Sequence, residues 1–328
     1  MKILYLVHQF FPKYYLGTER FTLDLAEQMQ RMGHSPLVVT YDRSDSQDGF
    51  TPLNDNVLVN TYAYHTIPVI SLKETMPRGI EIFDDKIAHA FSKLRLDCDI
   101  AHITHPMWLS SIASACKNKN IPIVLTLTDP WLMCPAYLID RGYRLCDGPE
   151  SGKRCISKCG FDARIISRYN DALSLLDMAD CVVTSSNFTA SFFKENGWEG
   201  EIRIVRHSVN YRYVMPSENF DPANITFGFI GSLSWHKGAH VLVKAFRKTS
   251  SRNISLKVYG SRGEEWDYFK ELLALARRDD RIQFLDPFDM KALPDIMKRI
   301  STVIVPSVFY DNYPCLLYTS PSPRDRTR

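Results

Sequence analysis

No apolar run in the 328 residues approaches the ~18 consecutive residues needed for a bilayer-spanning helix, so no segment is expected to cross a membrane that way. Charge of one sign is missing too. The 40 Lys and Arg stand against 37 Asp and Glu, a net +3 that is too balanced to imply a nucleic-acid partner. A secretory signal is lacking: Met1-Lys2-Ile3-Leu4-Tyr5-Leu6-Val7 is apolar but stops at His8-Gln9, too short for a signal core with a cleavage site. A cytoplasmic location with reduced thiols is therefore expected, and Asn187, Asn224 and Asn253 lose their meaning as glycosylation acceptors. The fingerprint G-x-G-x-x-G is absent, which removes the main support for a nicotinamide oxidoreductase. No Ser-His-Asp or Cys-His triad is supported by spacing, and no carboxylate pair demands a covalent intermediate. What is present is ordinary for a soluble globular chain: 45% hydrophobic, 23% charged and 12% aromatic residues. The length suggests two domains, at ~150 residues each.

The first half reads as alternating strands and helices. Lys2–Val7 is a continuous apolar strand, followed by a loop from His8 to Gly17. Thr18 is placed to cap a helix, with Glu19 in its first turn and Gly33 just past its end. Phe21, Leu25, Met29 and Met32 repeat at helical spacing on one apolar face of that helix. Pro36–Thr40, Ile100–Ile103, Ile121–Leu127 and Cys181–Thr184 follow as strands, which implies a parallel sheet covered on both faces. Periodicity lapses around Ser208–Asn224, and the pattern restarts with strands at Ile225–Ile230, Leu256–Tyr259, Ile282–Leu285 and Val303–Val305. Helices are expected at His240–Thr249, Glu264–Arg277 and Lys291–Arg299. The domains are thus read as 1–210 and 225–314, joined by a linker at 211–224. Residues 315–328 read otherwise: Cys315–Asp325 back-translate in frame to a transposase adapter used in preparing sequencing libraries, with 326–328 as index sequence, the alternative being a basic, disordered Ser/Pro tail. They are excluded from the fold reasoning, and the natural chain is expected to continue differently after Pro314.

Both halves open on a strand, a glycine-bearing loop and a helix, an arrangement that brings backbone N–H groups and a helix N-terminus to a phosphate. At this level of detail the residues resemble the family-four type of retaining GT-B glycosyltransferases. Leu16-Gly17-Thr18-Glu19 resembles their first glycine loop, and Gly33-His34 the pair before their second strand. Asp99-Ile100-Ala101-His102-Ile103-Thr104-His105 and Leu127-Thr128-Asp129-Pro130-Trp131-Leu132-Met133-Cys134-Pro135 resemble two further stretches. Val205-Arg206-His207-Ser208-Val209-Asn210 is similar to the interdomain crossover. Gly231-Ser232-Leu233 with Lys237-Gly238 resembles the donor-phosphate loop, and Pro306-Ser307 with Tyr310-Asp311-Asn312-Tyr313-Pro314 the acidic donor motif. The resemblance covers Met1 to Pro314.

It implies an α/β fold with two Rossmann-like domains facing each other across a cleft, the second shortened. It implies retaining transfer from a UDP- or GDP-sugar to a saccharide or lipid-linked acceptor, in surface-polysaccharide or glycolipid assembly, with no further cofactor. Asp129 and His105 fall on the acceptor side, with Gly17 as a point of close phosphate approach. Lys237, Gly231, Ser232, Gly238 and Asp311 fall on the donor side, with Lys237 taking up charge on the departing diphosphate. Thr128 replaces the family's histidine, Ser232 an arginine and Asp311 a glutamate, while the second acid would fall at Thr319. The chain as written is therefore expected to be poor at donor binding. A nucleotide-sugar epimerase and a non-catalytic binding subunit remain as alternatives.

Other groups carry alternative readings. Asp97-Cys98-Asp99 has the form of a metal-diphosphate motif but precedes a buried strand, and is read as a polar turn. No metal is expected, with a structural zinc on Cys134, Cys146, Cys155 and Cys159 as the minor alternative. Phe10, Phe11, Lys13, Tyr14 and Tyr15 form either a loop packed on itself or a patch for an acceptor or the inner face of the membrane.

Overall fold

A computed structural model describes residues 1–75, 79–207, 221, 223–261, 266–288, 292–312 and 314. The chain divides into two compact units, Met1–His207 and Ser208–Arg328. Most of the expected linker, 211–220 and 222, and all of 315–328 lie outside the described residues.

In the first unit the strands are β1 (Lys2–Val7), β2 (Ser35–Tyr41), β3 (Thr51–Pro52), β4 (Val57–Tyr64), β5 (Ile67–Glu74), β6 (Ile100–Ile103), β7 (Ile123–Leu127), β8 (Cys181–Thr184) and β9 (Ile202–Ile204). They form one sheet in the order β3-β4-β5-β2-β1-β6-β7-β8-β9. From β5 to β9 along that order every pair is parallel. Leu4 of β1 sits between Leu37 and Ala101 in register, and Leu4, Leu6 and Val7 are fully buried. Each such side chain contributes about 2 kcal/mol by leaving water. Asp99 accepts the Lys2 N–H at 2.7 Å and Asp97 pairs with the Lys2 ammonium, so the D-x-D segment fastens the ends of two strands, as a polar turn would.

The helices of this unit are α1 (Gly17–Arg31), α2 (Asp85–Lys93), α3 (Ser111–Asn118), α4 (Arg164–Met178) and α5 (Asn187–Glu195). Asp84 caps α2 by accepting the Lys86 N–H, and Ser186 caps α5 by accepting the Thr189 N–H. Helix α1 ends as expected. Gly33 takes φ +85°, its N–H donates to Gln30 O, and the His34 N–H donates to Met29 O. Its start differs: Leu16 is the N-cap residue without a side-chain bond, and Thr18 lies inside the helix, where Thr22 uses its carbonyl. Of the expected apolar face, Leu25 and Met29 pack against the core, whereas Met32 is exposed and Phe21 stacks on His207 at 3.9 Å; Glu19, Thr22, Leu23 and Ala26 are buried besides.

The hairpin β4–β5, antiparallel and turning at His65-Thr66, has no counterpart in the sequence reading. Its turn residue His65 takes φ +51° without a glycine to advertise it. Phe10 and Phe11 are buried against Leu23, Val38 and Val69, so they are core rather than membrane-facing; Tyr15 and Leu16 remain exposed.

The second unit holds β10 (Ile225–Ile230), β11 (Ile254–Tyr259), β12 (Ile282–Leu285) and β13 (Thr302–Val303), parallel in the order β12-β11-β10-β13. Helices α6 (Ala239–Phe246), α7 (Trp266–Ala276) and α8 (Leu293–Lys298) accompany them. Phe229, Val243, Leu256, Val258 and Leu272 form the core of this unit. Among the described residues no helix is long and apolar enough to cross a membrane.

Candidate functional site

In the first unit the expected pair assembles at the carboxyl ends of neighbouring strands. Ile103 of β6 lies beside Leu125 of β7, and the chain leaves these strands through His105 and Asp129 respectively. Asp129 caps a single 3-10 turn, Pro130–Leu132, and its Oδ1 accepts the Trp131 N–H at 2.8 Å. Its Oδ2 lies 3.2 Å from His105 Nε2. The other nitrogen of His105, Nδ1, accepts the Met107 N–H at 3.3 Å. With Nδ1 turned to that N–H, Nε2 is the nitrogen that meets the carboxylate. The carboxylate is thereby aimed by two N–H donors.

Two groups not counted as functional in the sequence reading complete this cluster. His8, the first residue after β1, stacks on His105 at 4.1 Å, and its Nε2 lies 3.5 Å from Glu19 Oε1. Burial, then the proximity of His105 and Arg43, holds His8 well below the ordinary 6.5. Burial raises the Glu19 carboxyl, opposed by its own N–H, by His105 and by the Leu16 N–H. The available signal was topological: His8 follows a parallel strand at the same sheet edge as His105 and Asp129. Beneath the Asp129 turn, fully buried Arg168 donates to Trp131 O and Leu132 O, both at 2.7 Å, and stacks on the Trp131 ring at 4.6 Å. Gly17 opens α1 in open space, with nothing within 4 Å of where a Cβ would stand. Packing therefore gives no reason for glycine there.

The second unit brings Lys237 and Asp311 together. Lys237 Nζ lies 2.8 Å from Asp311 Oδ2, which also accepts from Ser307 Oγ at 3.1 Å, and the ammonium sits 4.7 Å from the centre of the Phe309 ring. Residues 74 apart thus meet because the loop after β10 folds against the loop after β13. Gly238 makes that approach possible: it takes φ +74°, and a Cβ there would stand 2.0 Å from Pro306 O. The N–H groups of Gly231, Leu233, Lys237 and Gly238 already donate to carbonyls of Tyr259, Ser261, Ser234 and Trp235. Four of the eight N–H groups of the Gly231–Gly238 loop are thus taken up within the fold, and the cation beside them is Lys237. Ser232 Oγ lies 3.2 Å from Ser234 Oγ.

The four cysteines of the insertion are free thiols. A hydrogen bond with Cys155 lowers the Cys134 thiol, aided by the N–H of Leu138 at 3.3 Å. Cys146 donates to Gly148 O at 3.4 Å, and Cys155 opens a π-turn that runs to Cys159. Among the described residues no group of three or more His, Cys, Asp or Glu side chains is arranged to hold a metal ion.

With this geometry in place, residues 15–212 match the family described as Glycosyltransferase Family 4, and residues 214–315 match Glycosyl transferases group 1. The chain belongs to glycosyltransferase family 4. No curated protein matches this family 4 glycosyltransferase in sequence. Solved structures share its fold. HepE from Anabaena, in complex with UDP and glucose, superposes with a TM-score of 0.65 at 18% identity, covering 98% of this chain and 78% of that one. The catalytic domain of starch synthase IV from Arabidopsis thaliana, bound to ADP and acarbose, gives 0.58 at 13% identity, covering 94% and 78%. The lipopolysaccharide outer core galactosyltransferase WaaB in its apo form gives 0.55 at 14% identity, covering 99% and 83%. The fold is GT-B, built from two Rossmann-like units.

Proposed function

We propose that this protein transfers a sugar from a UDP- or GDP-sugar to a saccharide or lipid-linked acceptor, with retention at the anomeric carbon, in surface-polysaccharide or glycolipid assembly at the inner face of the membrane. The observation that carries this reading is the Lys237–Asp311 pair, built by a glycine-dependent loop contact in the unit that matches Glycosyl transferases group 1. A lysine already oriented by a carboxylate pays little reorganisation when a diphosphate arrives and gains charge on leaving. Asp129 in the first unit, aimed by Trp131 and His105, is the group for the acceptor hydroxyl or for positive charge developing on the sugar. The UDP of the HepE complex and the ADP of the starch synthase complex support a nucleotide donor. Asp311 is one methylene shorter than the glutamate it replaces, and its place beside Lys237 fits a role at the donor.

The test is incubation of the full-length protein with UDP- and GDP-hexoses, with and without membrane glycolipid extracts, followed by chromatography of nucleotide and sugar products. Acceptor-dependent release of nucleoside diphosphate with a retained linkage is expected. An epimerised donor formed without acceptor would overturn the reading in favour of an epimerase. Absence of both donor binding and turnover would favour a non-catalytic subunit.

A further inference from the structure

Strands β2, β1, β6 and β7 lie side by side and run parallel, so the residues that follow them share one edge of the sheet. His8, His105 and Asp129 follow three of these strands. The fourth, β2, leads into Asp42 and Arg43, whose charges are used differently. The Asp42 carboxylate is buried and committed: it accepts from Lys13 Nζ at 2.9 Å and from the Ser44 N–H at 2.6 Å, with Lys73 Nζ at 3.4 Å. Arg43 is exposed, and among the described residues no carboxylate forms an ion pair with it. Its guanidinium lies over the ring of Trp108, 4.9 Å from the centre. Trp108 comes shortly after β6, so this contact carries the charge across the end of β1 toward the His105 and Asp129 side. The same ring lies 6.1 Å from His8 and 5.2 Å from buried Tyr41. Trp108 takes φ +64°, a left-handed conformation that a bulky side chain adopts only where its surroundings impose it, and such positions cluster at ligand sites. A planar cation seated on an aromatic ring, with no carboxylate of its own, presents the fork that takes an oxyanion through two N–H groups.

We infer that Arg43, seated on Trp108, is a specificity-determining residue of the first unit: it pairs with an oxyanion, a carboxylate or a phosphate, borne by the sugar acceptor. The inference rests on the transferase reading and narrows its acceptor from any saccharide or lipid-linked sugar to an anionic one. The division of labour at the sheet edge supports it. Lys13 and Lys73 are turned to Asp42, so their charge is compensated within the fold, whereas that of Arg43 faces outward beside the site. Arg43 also covers one face of the Trp108 ring, so an incoming sugar meets a cation there and not a bare aromatic surface. Asp129, at the end of the strand beside β6, is left for the hydroxyl that receives the sugar.

The test measures binding before turnover. Ligand-observed NMR titrations use glucuronic acid, glucose 1-phosphate and methyl glucoside as probes, on the parent and on Arg43→Gln, Arg43→Lys and Lys237→Met. The parent is expected to bind at least one charged sugar roughly tenfold more tightly than methyl glucoside, as a charge-assisted pair would give. Tighter binding of glucuronic acid identifies an acidic saccharide as the acceptor, and tighter binding of the phosphate a sugar phosphate of the lipid-linked kind. Arg43→Gln is expected to lose the preference and Arg43→Lys to keep part of it, because an ammonium retains the charge without the fork. Lys237→Met is expected to keep it whole. Equal binding of charged and neutral sugars by the parent, or a preference that survives Arg43→Gln, would overturn the inference. A preference lost in Lys237→Met would do the same, by assigning the anion to the donor side. Turnover separates the inference from the reading beneath it. With an anionic acceptor, Arg43→Gln is expected to raise the acceptor KM roughly tenfold without moving the donor KM, a split that a merely structural role would not produce. Transfer by the parent to neutral and anionic acceptors alike would overturn the inference and keep the transferase reading. Binding of charged sugars through Arg43 without any donor turnover would defeat the transferase reading and leave the anion subsite standing.

Discussion

Replacing Arg168 with methionine tests how the Asp129 turn is held. The arginine is 1% exposed and makes two charge-assisted hydrogen bonds to consecutive carbonyls, Trp131 O and Leu132 O. At about 1.5–3 kcal/mol each, these contribute roughly 3–6 kcal/mol. Stacking on the Trp131 ring at 4.6 Å adds about 1 kcal/mol. Against this stands the burial of a cation: desolvation lowers the guanidinium to about 10. That shift corresponds to about 3 kcal/mol of penalty that the variant escapes. The net expectation is a loss of about 1–4 kcal/mol. In a folding unit of this size it lowers Tm by roughly 2–15 °C. Thermal unfolding followed by circular dichroism reads it directly. Arg168→Lys should recover only part of the loss, because one ammonium lacks the planar fork that spans both carbonyls. A methionine variant melting within a degree of the parent would refute the reasoning, since the two carbonyls would then need no buried cation.

Three other outcomes follow from the same geometry. Burial lowers His102 from 6.5 to about 4 while its Nε2 bonds Thr126 Oγ1 at 2.8 Å. The folded value lies below the unfolded one, so stability is complete above pH 6.5 and falls toward pH 4 by about 3 kcal/mol, and His102→Gln should flatten that slope in urea titrations across this range. Gly238→Ala should destabilise the second unit by on the order of 3 kcal/mol, because a methyl group meets Pro306 O in a left-handed backbone, and an unchanged urea midpoint would contradict it. Gly17→Ala meets open space and should leave the midpoint within about 0.5 kcal/mol; a selective fall in turnover would then mark Gly17 as a point of close substrate approach.

Five strands were legible in the sequence to the residue: Lys2–Val7, Ile100–Ile103, Cys181–Thr184, Ile225–Ile230 and Ile282–Leu285 all stand where the pattern places them. Lys2–Val7, central in its sheet and buried from Ile3 onward, is the clearest of them. The β4–β5 hairpin was hidden because its turn carries neither glycine nor proline at its apex. Apolar periodicity placed Leu25 and Met29 of α1 at the core but missed polar Glu19 and Thr22, which point inward, Thr22 to share a hydrogen bond with Thr104 at 2.7 Å. Apolar periodicity cannot register an inward face made partly of a site. For the same reason Glu19 read as a helix-start charge and His8 as the start of a loop, whereas His105 was legible as a strand-end group and Asp129 through the resemblance of its stretch. The meeting of Lys237 with Asp311 depends on how two loops fold together, which spacing alone does not report.

The central claim is that Lys237 takes up the charge of the departing diphosphate. Its most direct test is donor turnover by full-length Lys237→Met beside the parent, with folding verified by circular dichroism. The account predicts a fall in kcat of roughly 10²–10³. Sugar transfer at the parent's rate by the folded variant would contradict it.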